Sequence, residues 1–182
     1  LVYQSRDWQH GTFVGATMAS ETTAAAAGAV GVVRRDPMAM KPFAGYNMAM
    51  YWAHWLEMGK KLGDKAPKIF NVNWFRKDDD GNFMWPGFGD NMRVLLWILD
   101  RCAGKVDADE CAIGYVPKAE DIDITDLEDC TLDTIKELLT VDKEVWLEDV
   151  ENIKEYFAQF GDTLPKEMAD ELAKLESNLK NM

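Results

Sequence analysis

Aromatic and charged side chains are unevenly distributed along this chain of 182 residues. Six of its seven tryptophans lie at or before Trp97. Residues 1–106 carry 13 basic and 10 acidic side chains, whereas residues 107–182 carry 7 and 22. Because aromatic rings supply large areas for burial, residues 1–106 are predicted to form a packed body, and disorder throughout the chain is excluded. Residues 107–182 are predicted to form an acidic, mostly helical cover.

The net charge and the apolar pattern exclude several classes of protein. There are 32 acidic and 20 basic residues, a net charge of −12, which argues against binding to a nucleic-acid backbone. No run of about 18 apolar residues predicts a membrane span. Arg6 and Asp7 interrupt the start of the chain, so no signal peptide is predicted. Three cysteines are too few for a disulfide framework, and their odd number favours a reducing cytoplasm.

Two stretches have the pattern of strands. Residues 69–75 alternate with a period of two, and residues 1–5 begin with a short apolar run. Since the chain starts at Leu1 inside a predicted strand, we expect it to be a piece of a longer protein. Residues 107–130 are acidic and are predicted to be mainly loop, around an extended segment over residues 113–117. With the helices described next, these strands predict a mixed α/β fold that is rich in helix.

Helical patterns cover much of the remaining chain. Asp7 is a candidate N-cap for a segment up to residue 18, and Asp90 or Asn91 for a later helix. Pro42 is the predicted first residue of a helix that Gly63 ends. The predicted apolar stripe of that helix comprises Phe43, Tyr46, Met50, Tyr51, Trp55 and Met58.

Two further helices are predicted after residue 131. Apolar residues recur every three or four positions and predict core contact, while the acidic residues between them predict a solvated face. The first stripe comprises Val145, Trp146, Val150, Ile153, Phe157 and Phe160. The second comprises Leu164, Met168, Leu172, Leu175 and Leu179.

Residues 20–33 are nearly all small, and their composition leaves two interpretations open. Alanine favours a short helix. A stretch with so little side chain to bury is equally typical of a mobile loop.

Motifs for self-contained catalysis are absent from the sequence. There is no Gly-x-x-x-x-Gly-Lys-Ser/Thr phosphate loop, and Met92 replaces the third glycine of a dinucleotide fingerprint after Gly87 and Gly89. His10 and His54 are the only histidines, and neither has a carboxylate at a zinc-ligand spacing. No metal ligand and no catalytic residue is therefore predicted within these 182 residues.

Three phenylalanines flank a turn and a Gly-rich loop. Phe75, Phe83 and Phe88 could be ordinary core residues, or their rings could sandwich a planar base. Asn91 offers an amide that can recognise the edge of a base. Glycines 87 and 89 allow the backbone to approach a ligand closely. The residues alone leave both interpretations open.

Several motifs carry a resemblance to a known family. They are Trp8-Gln9-His10-Gly11, Phe75-Arg76-Lys77, the run from Asp36-Pro37 to Asn47, and Phe83-x-Trp85-Pro86-Gly87-Phe88-Gly89-Asp90-Asn91. Together they closely resemble the C-terminal part of GTP-dependent phosphoenolpyruvate carboxykinase, and the resemblance covers the whole chain. The ATP-dependent carboxykinases lack this aromatic loop and fit poorly.

The resemblance implies a cytoplasmic lyase of gluconeogenesis that converts oxaloacetate and GTP to phosphoenolpyruvate, GDP and carbon dioxide. It implies a divalent metal, Mn²⁺ or Mg²⁺, that is bound by an upstream part of the longer enzyme. The phosphate loop and most catalytic residues would lie upstream as well. The N-terminal remainder of the same chain would thus be a partner, and these 182 residues alone would be inactive.

The resemblance also implies roles for individual residues. Phe75, Phe83 and Phe88 would hold the guanine, with Trp74 behind them and Gly89, Asp90 and Asn91 completing the nucleotide site. Phe43 would line the pocket for oxaloacetate and phosphoenolpyruvate. Residues 22–32, which include Thr22, Thr23, Ala25 and Gly28, would form a mobile lid, and this favours the loop interpretation.

The sequence departs from the family pattern at two places. Asp90 stands where glutamate is common, and the lid lacks the basic residues that some members carry. Two rival functions stay open, a scaffolding domain that binds a partner through its acidic tail and a nucleotide-binding module without chemistry.

Overall fold

A computed structural model of the chain describes residues 1–22 and 31–182. Within these residues, the strands are β1 (Val2–Gln4), β2 (Ala19–Glu21), β3 (Val33–Arg35), β4 (Phe70–Val72), β5 (Asp109–Cys111) and β6 (Gly114–Val116). The helices are α1 (Trp8–Ala16), α2 (Met48–Leu62), α3 (Asn91–Cys102), α4 (Leu132–Leu139), α5 (Lys143–Ala158) and α6 (Lys166–Lys180). The predicted mixed α/β fold, rich in helix and ending in acidic helices, is confirmed.

The chain divides into two compact units. The first comprises Leu1–Arg6 and Lys68–Asp142, and the second comprises Asp7–Pro67 and Lys143–Met182. This division differs from the change in charge after residue 106. The reason is that the net charge of a segment is a sum along the sequence, whereas a compact unit is defined by residues that contact one another, including residues far apart in the chain.

An antiparallel sheet with the strand order β4-β1-β6-β5 organises the first unit. The predicted strand over residues 1–5 is confirmed, with Val2 opposite Val72 and Gln4 opposite Phe70. The prediction for residues 69–75 was too long, because β4 ends at Val72. The Asn73 side chain accepts a hydrogen bond from the backbone N–H of Phe75, 2.9 Å away. That N–H is therefore unavailable for extending the ladder.

The β5–β6 hairpin lies in the stretch that was predicted to be mainly loop. Gln4 of β1 pairs with Tyr115 of β6, so a long-range contact stabilises strands too short to be evident from the sequence. Gly114 is required there, because a Cβ at this position would lie 2.4 Å from the carbonyl oxygen of Gln4. Its φ of 143° also favours glycine.

The core of the first unit includes residues of helices α3 and α4. Helix α3 contributes Val94 and Trp97, and helix α4 contributes Ile135 and Leu138. The remaining buried members of this core cluster are Val2, Trp85, Ala119, Ile122 and Cys130.

In the core of the second unit, helices α1, α2 and α5 contribute aromatic rings, and helix α6 contributes Met168 and three leucines. The ring of Trp52 on α2 lies 5.7 Å from that of Phe157 and 4.7 Å from that of Phe160. Phe157 also meets Phe13 of α1 edge to face at 6.1 Å. The predicted cap of α1 is confirmed, since the Asp7 carboxylate accepts a hydrogen bond from the His10 backbone N–H at 2.7 Å.

The predicted start of α2 is wrong, and its predicted apolar stripe is only partly buried. Pro42 lies in a separate 3₁₀ turn, Lys41–Phe43, and the helix begins at Met48 after an Asn47 cap. The buried residues are Met48, Ala49, Trp52 and Leu56, while Phe43, Tyr46 and Met50 of the predicted stripe are exposed. The other stripe residues, Tyr51, Trp55 and Met58, are half-buried, so the stripe lies beside the buried face of the helix.

The predicted stripes on α5 and α6 are largely confirmed. The buried residues are Val150, Ile153 and Phe157 on α5 and Met168, Leu172, Leu175 and Leu179 on α6. Val145 is an exception and is exposed. The expectation that the acidic residues are solvated fails at Glu171, which is buried and accepts a hydrogen bond from the Gln9 amide at 2.8 Å.

A two-stranded ribbon, β2 with β3, flanks the stretch of small residues. Beyond the strands, the Thr22 backbone N–H donates to the Val32 carbonyl at 2.9 Å. Residues 23–30, where most of the predicted lid falls, lie outside the described residues. Among the described helices, none is long and apolar enough to cross a membrane.

Candidate nucleotide-binding site

A tight turn in the first unit brings Phe75 and Phe83 together. Asp78 and Asn82 close the turn, with the Asp78 N–H donating to the Asn82 carbonyl at 2.9 Å and the Asn82 N–H donating to the Asp78 carboxylate at 2.8 Å. The latter bond favours the charged form and lowers the pKa of Asp78. A single bridge pairs Lys77 with Phe83. The centroids of the Phe75 and Phe83 rings are consequently 6.2 Å apart.

All three candidate phenylalanines are exposed. The exposed fractions are 71% for Phe75, 58% for Phe83 and 100% for Phe88. The alternative that these residues belong to the hydrophobic core is therefore wrong. Phe75 and Phe83 lie beside one another, whereas Phe88 lies on the Gly-rich loop that follows. Exposed aromatic rings of this kind form an apolar surface that a ligand can cover.

The two neighbouring rings do not form a parallel slot. Their planes meet at 66°, and the ring separation of 6.2 Å is that of an edge-to-face pair. Two parallel rings with a base between them would be about 7 Å apart, twice an ordinary carbon–carbon contact. Because Phe88 is completely exposed, its ring covers neither of the other two.

The Gly-rich loop before α3 has an unusual backbone. Gly87 has a φ of 75°, and Phe88 has a φ of 43°, a left-handed conformation that is uncommon for a residue with a Cβ. A Cβ built on Gly87 or Gly89 would meet no atom within 4 Å. The loop thus holds the Phe88 ring outward beside open space, at the cost of some backbone strain.

A buried tryptophan, Trp85, and a half-buried one, Trp74, lie behind this loop. Trp85 is 1% exposed, and its indole Nε1 donates to the Asn91 Oδ1 at 2.8 Å. The ring of Trp74 lies 6.4 Å from that of Trp85 at an interplanar angle of 31°. Asn91, the first residue of α3, is half-buried. Sequence reasoning missed the bond between Trp85 and Asn91, because no local rule predicts a contact at a separation of six residues.

The arginines near the loop form ion pairs with acidic side chains. Arg93 Nε donates to the Asp90 carboxylate at 3.0 Å. Arg76 donates to the carbonyl and to the carboxylate of Glu137, at 2.6 and 3.2 Å. Burial, followed by the charge of Asp90, raises the pKa of the Cys130 thiol, which keeps this thiol neutral.

Lys77 adds a contact that the sequence did not reveal. Its Nζ lies 5.1 Å from the centre of the Phe83 ring, within the range of a cation–π interaction. The positive charge lies beside the exposed rings, where a negatively charged ligand could be attracted.

The other candidate residues lie in the second unit. Phe43 is 86% exposed at the end of its 3₁₀ turn. Thr22 is buried, and its hydroxyl accepts a hydrogen bond from the Val32 N–H at 3.1 Å. Thr23, Ala25 and Gly28 lie outside the described residues.

In residues 1–22 and 31–182, no group of three or more His, Cys, Asp or Glu side chains could hold a metal ion.

An exposed aromatic side chain on a glycine-rich loop at the start of a helix provides a surface that a small ligand can cover. The sequence profile of the phosphoenolpyruvate carboxykinase C-terminal P-loop domain matches residues 1–178. The chain belongs to this family, as its motifs suggested.

Curated relatives give the same result. The chain is 53% identical over 181 residues to a phosphoenolpyruvate carboxykinase [GTP] of Renibacterium salmoninarum and 49% identical over 181 residues to that of Chlamydia pneumoniae. A relative of the same name from Corynebacterium glutamicum is 51% identical over 180 residues. These alignments cover 98–99% of the chain. The chain spans only 29–30% of the length of these relatives.

Proposed function

We propose that this chain is the guanine-nucleotide-binding part of an enzyme that converts oxaloacetate and GTP to phosphoenolpyruvate, GDP and carbon dioxide. The observation that carries the proposal is the exposure of Phe75 and Phe83, which flank one turn, and of Phe88 on the glycine-rich loop that follows. Apolar rings left in water are costly unless a ligand or partner covers them. Membership of the carboxykinase family supports a nucleotide as that ligand.

In this proposal, the rings of Phe75, Phe83 and Phe88 hold the guanine, with Trp74 behind them. Phe88 is free to swing over the base, since nothing covers its ring. Gly89 and Asp90 shape the loop around the base, and Asn91 contacts its edge. The nucleotide is thereby held so that its γ-phosphate reaches the reaction centre, and such positioning is central to phosphoryl transfer.

The reaction would have two steps. Oxaloacetate loses carbon dioxide to leave an enolate, and the enolate oxygen takes the γ-phosphoryl group of GTP. Phe43 would line the pocket for oxaloacetate and phosphoenolpyruvate, and residues 22–32 would form the lid. The divalent metal, Mn²⁺ or Mg²⁺, would be bound by another part of a longer protein. The reduced thiols support a cytoplasmic setting, where the reaction would serve gluconeogenesis.

The proposal is tested by titrating the purified chain with GDP and following tryptophan fluorescence, for which Trp74 and Trp85 are nearby reporters. We expect saturable quenching. Phe88→Ala should weaken binding about fivefold to a hundredfold, since a stacked base contributes about 1–3 kcal/mol.

Tyr46→Ala is the matched control, because Tyr46 is an exposed ring in the second unit. It should leave the affinity for GDP unchanged. Failure of the wild-type chain to bind GDP, or equal affinities for wild type and Phe88→Ala, would contradict the proposal and favour a protein-interaction role.

A further inference from the structure

Trp85 donates a hydrogen bond to the side chain of Asn91. The indole Nε1 lies 2.8 Å from the Asn91 Oδ1. Trp85 is 1% exposed and belongs to the core cluster of the first unit, next to Trp74. A ring packed in this way has no freedom to follow its partner, so the position of Trp85 determines the position of the amide.

The chemistry of the two groups determines which end of the amide faces the indole. An indole N–H can only donate a hydrogen bond. It must therefore meet the oxygen of the Asn91 amide rather than its nitrogen. The Asn91 –NH₂ group, with its two donor hydrogens, is consequently turned away from Trp85.

We infer that Trp85 is a positioning residue that makes Asn91 a hydrogen-bond donor toward the base and thereby selects 6-oxopurines over 6-aminopurines. The O6 of guanine is an acceptor, whereas adenine carries an –NH₂ donor at the same position. An adenine would leave two donors facing each other, and unpaired polar groups in a closed site reduce binding. This inference rests on the proposed function.

The exposed rings cannot supply this selectivity. Stacking on Phe75, Phe83 and Phe88 tolerates any base, because every base has an aromatic face. Discrimination between guanine and adenine therefore has to come from polar groups at the edge of the base. Asn91 lies three residues after Phe88, at the point where the loop enters α3.

The first test is Trp85→Phe, with the affinities for GDP and ADP measured by calorimetry. Phenylalanine keeps an aromatic core residue but removes the N–H, so the amide is free to flip. We expect the ratio of the GDP affinity to the ADP affinity to fall about tenfold, the equivalent of one hydrogen bond. IDP, which keeps the 6-oxo group, should lose affinity in parallel with GDP.

Trp97→Phe is the matched control. Trp97 is buried in the same core cluster, and its Nε1 has no hydrogen-bond partner among the described residues. This variant should lose stability through packing but keep the wild-type ratio of GDP to ADP affinity. A merely structural role of Trp85 would give equal ratios in the two variants.

Asn91→Asp provides a test that does not disturb the core. A carboxylate still accepts the Trp85 hydrogen bond but presents an acceptor to the base. We expect the preference for GDP to disappear or to reverse in favour of ADP. If Trp85→Phe does not fold, this variant decides the question.

The outcomes distinguish a failure of the proposed function from a failure of the inference about Trp85. A wild-type chain that does not bind GDP overturns the proposed function. If the wild-type chain prefers GDP, the inference is overturned by an unchanged preference in Asn91→Asp, or by equal ratios in Trp85→Phe and Trp97→Phe.

Discussion

Gly59 lies where helix α2 passes closest to the indole of Trp8. A Cβ at this position would be 2.2 Å from Trp8 Cδ1. The indole cannot easily retreat, because its Nε1 donates to the Trp55 carbonyl at 2.7 Å. We expect Gly59→Ala to lower the free energy of unfolding by about 1–3 kcal/mol through overpacking, as measured by urea denaturation.

Gly45→Ala is the matched control for Gly59→Ala. A Cβ at position 45 would meet nothing within 4 Å. The substitution should be neutral or stabilise the chain by about 0.4–1 kcal/mol, because alanine restricts the unfolded state. Equal destabilisation by the two substitutions would show that the contact between Trp8 and Gly59 is not the cause.

The side chain of Asn47 caps the start of helix α2. The Asn47 Oδ1 accepts a hydrogen bond from the Ala49 N–H at 2.9 Å, and the Asn47 Nδ2 donates to Thr163 at the same distance. Asn47→Ala removes both bonds. We expect a loss of about 1 kcal/mol in the free energy of unfolding, together with faster amide exchange at the start of α2.

Asn47→Asp separates these two contributions. The aspartate keeps an acceptor for the cap and loses only the donor to Thr163. It should therefore retain most of the stability and the slow exchange of the first helical turn. Similar losses for Asn47→Ala and Asn47→Asp would instead assign the effect to the bond with Thr163.

At the scale of the whole molecule, the chain spans about 30% of the length of its carboxykinase relatives. Its sequence has no Gly-x-x-x-x-Gly-Lys-Ser/Thr motif to surround the phosphates. We expect the 182 residues alone to form no phosphoenolpyruvate from oxaloacetate and GTP in the presence of Mn²⁺. The reason is that the charge that develops on the transferring phosphoryl group would be poorly stabilised. A coupled assay that detects phosphoenolpyruvate checks this prediction.

Two controls make a negative result informative. The same preparation should bind GDP, which shows that the chain is folded, and a complete relative from Corynebacterium glutamicum should be active in the same assay. Turnover by the 182 residues above the background rate would refute the prediction.

Elements with a long and regular pattern could be predicted from the sequence. The stripe on α6 repeats over four turns, and its four residues from Met168 to Leu179 are buried as expected. The pattern around Pro42 misled, because Phe43 and Tyr46 mimic a helical repeat although the Asn47 cap starts α2 later. The cap and the apolar pattern favour different first residues for the helix, and periodicity alone does not determine where the helix begins.

The sequence by itself determined the family, the helix-rich α/β class and the loop that carries Phe75, Phe83 and Phe88. These properties depend on local order along the chain, such as motif spacing, periodicity and turn residues. Only the tertiary structure decided that the three rings are exposed, that β6 pairs with β1 and that Trp85 holds the Asn91 amide. Exposure and long-range hydrogen bonds depend on which distant segments of the chain come into contact. Such contacts produce no periodic pattern in the sequence.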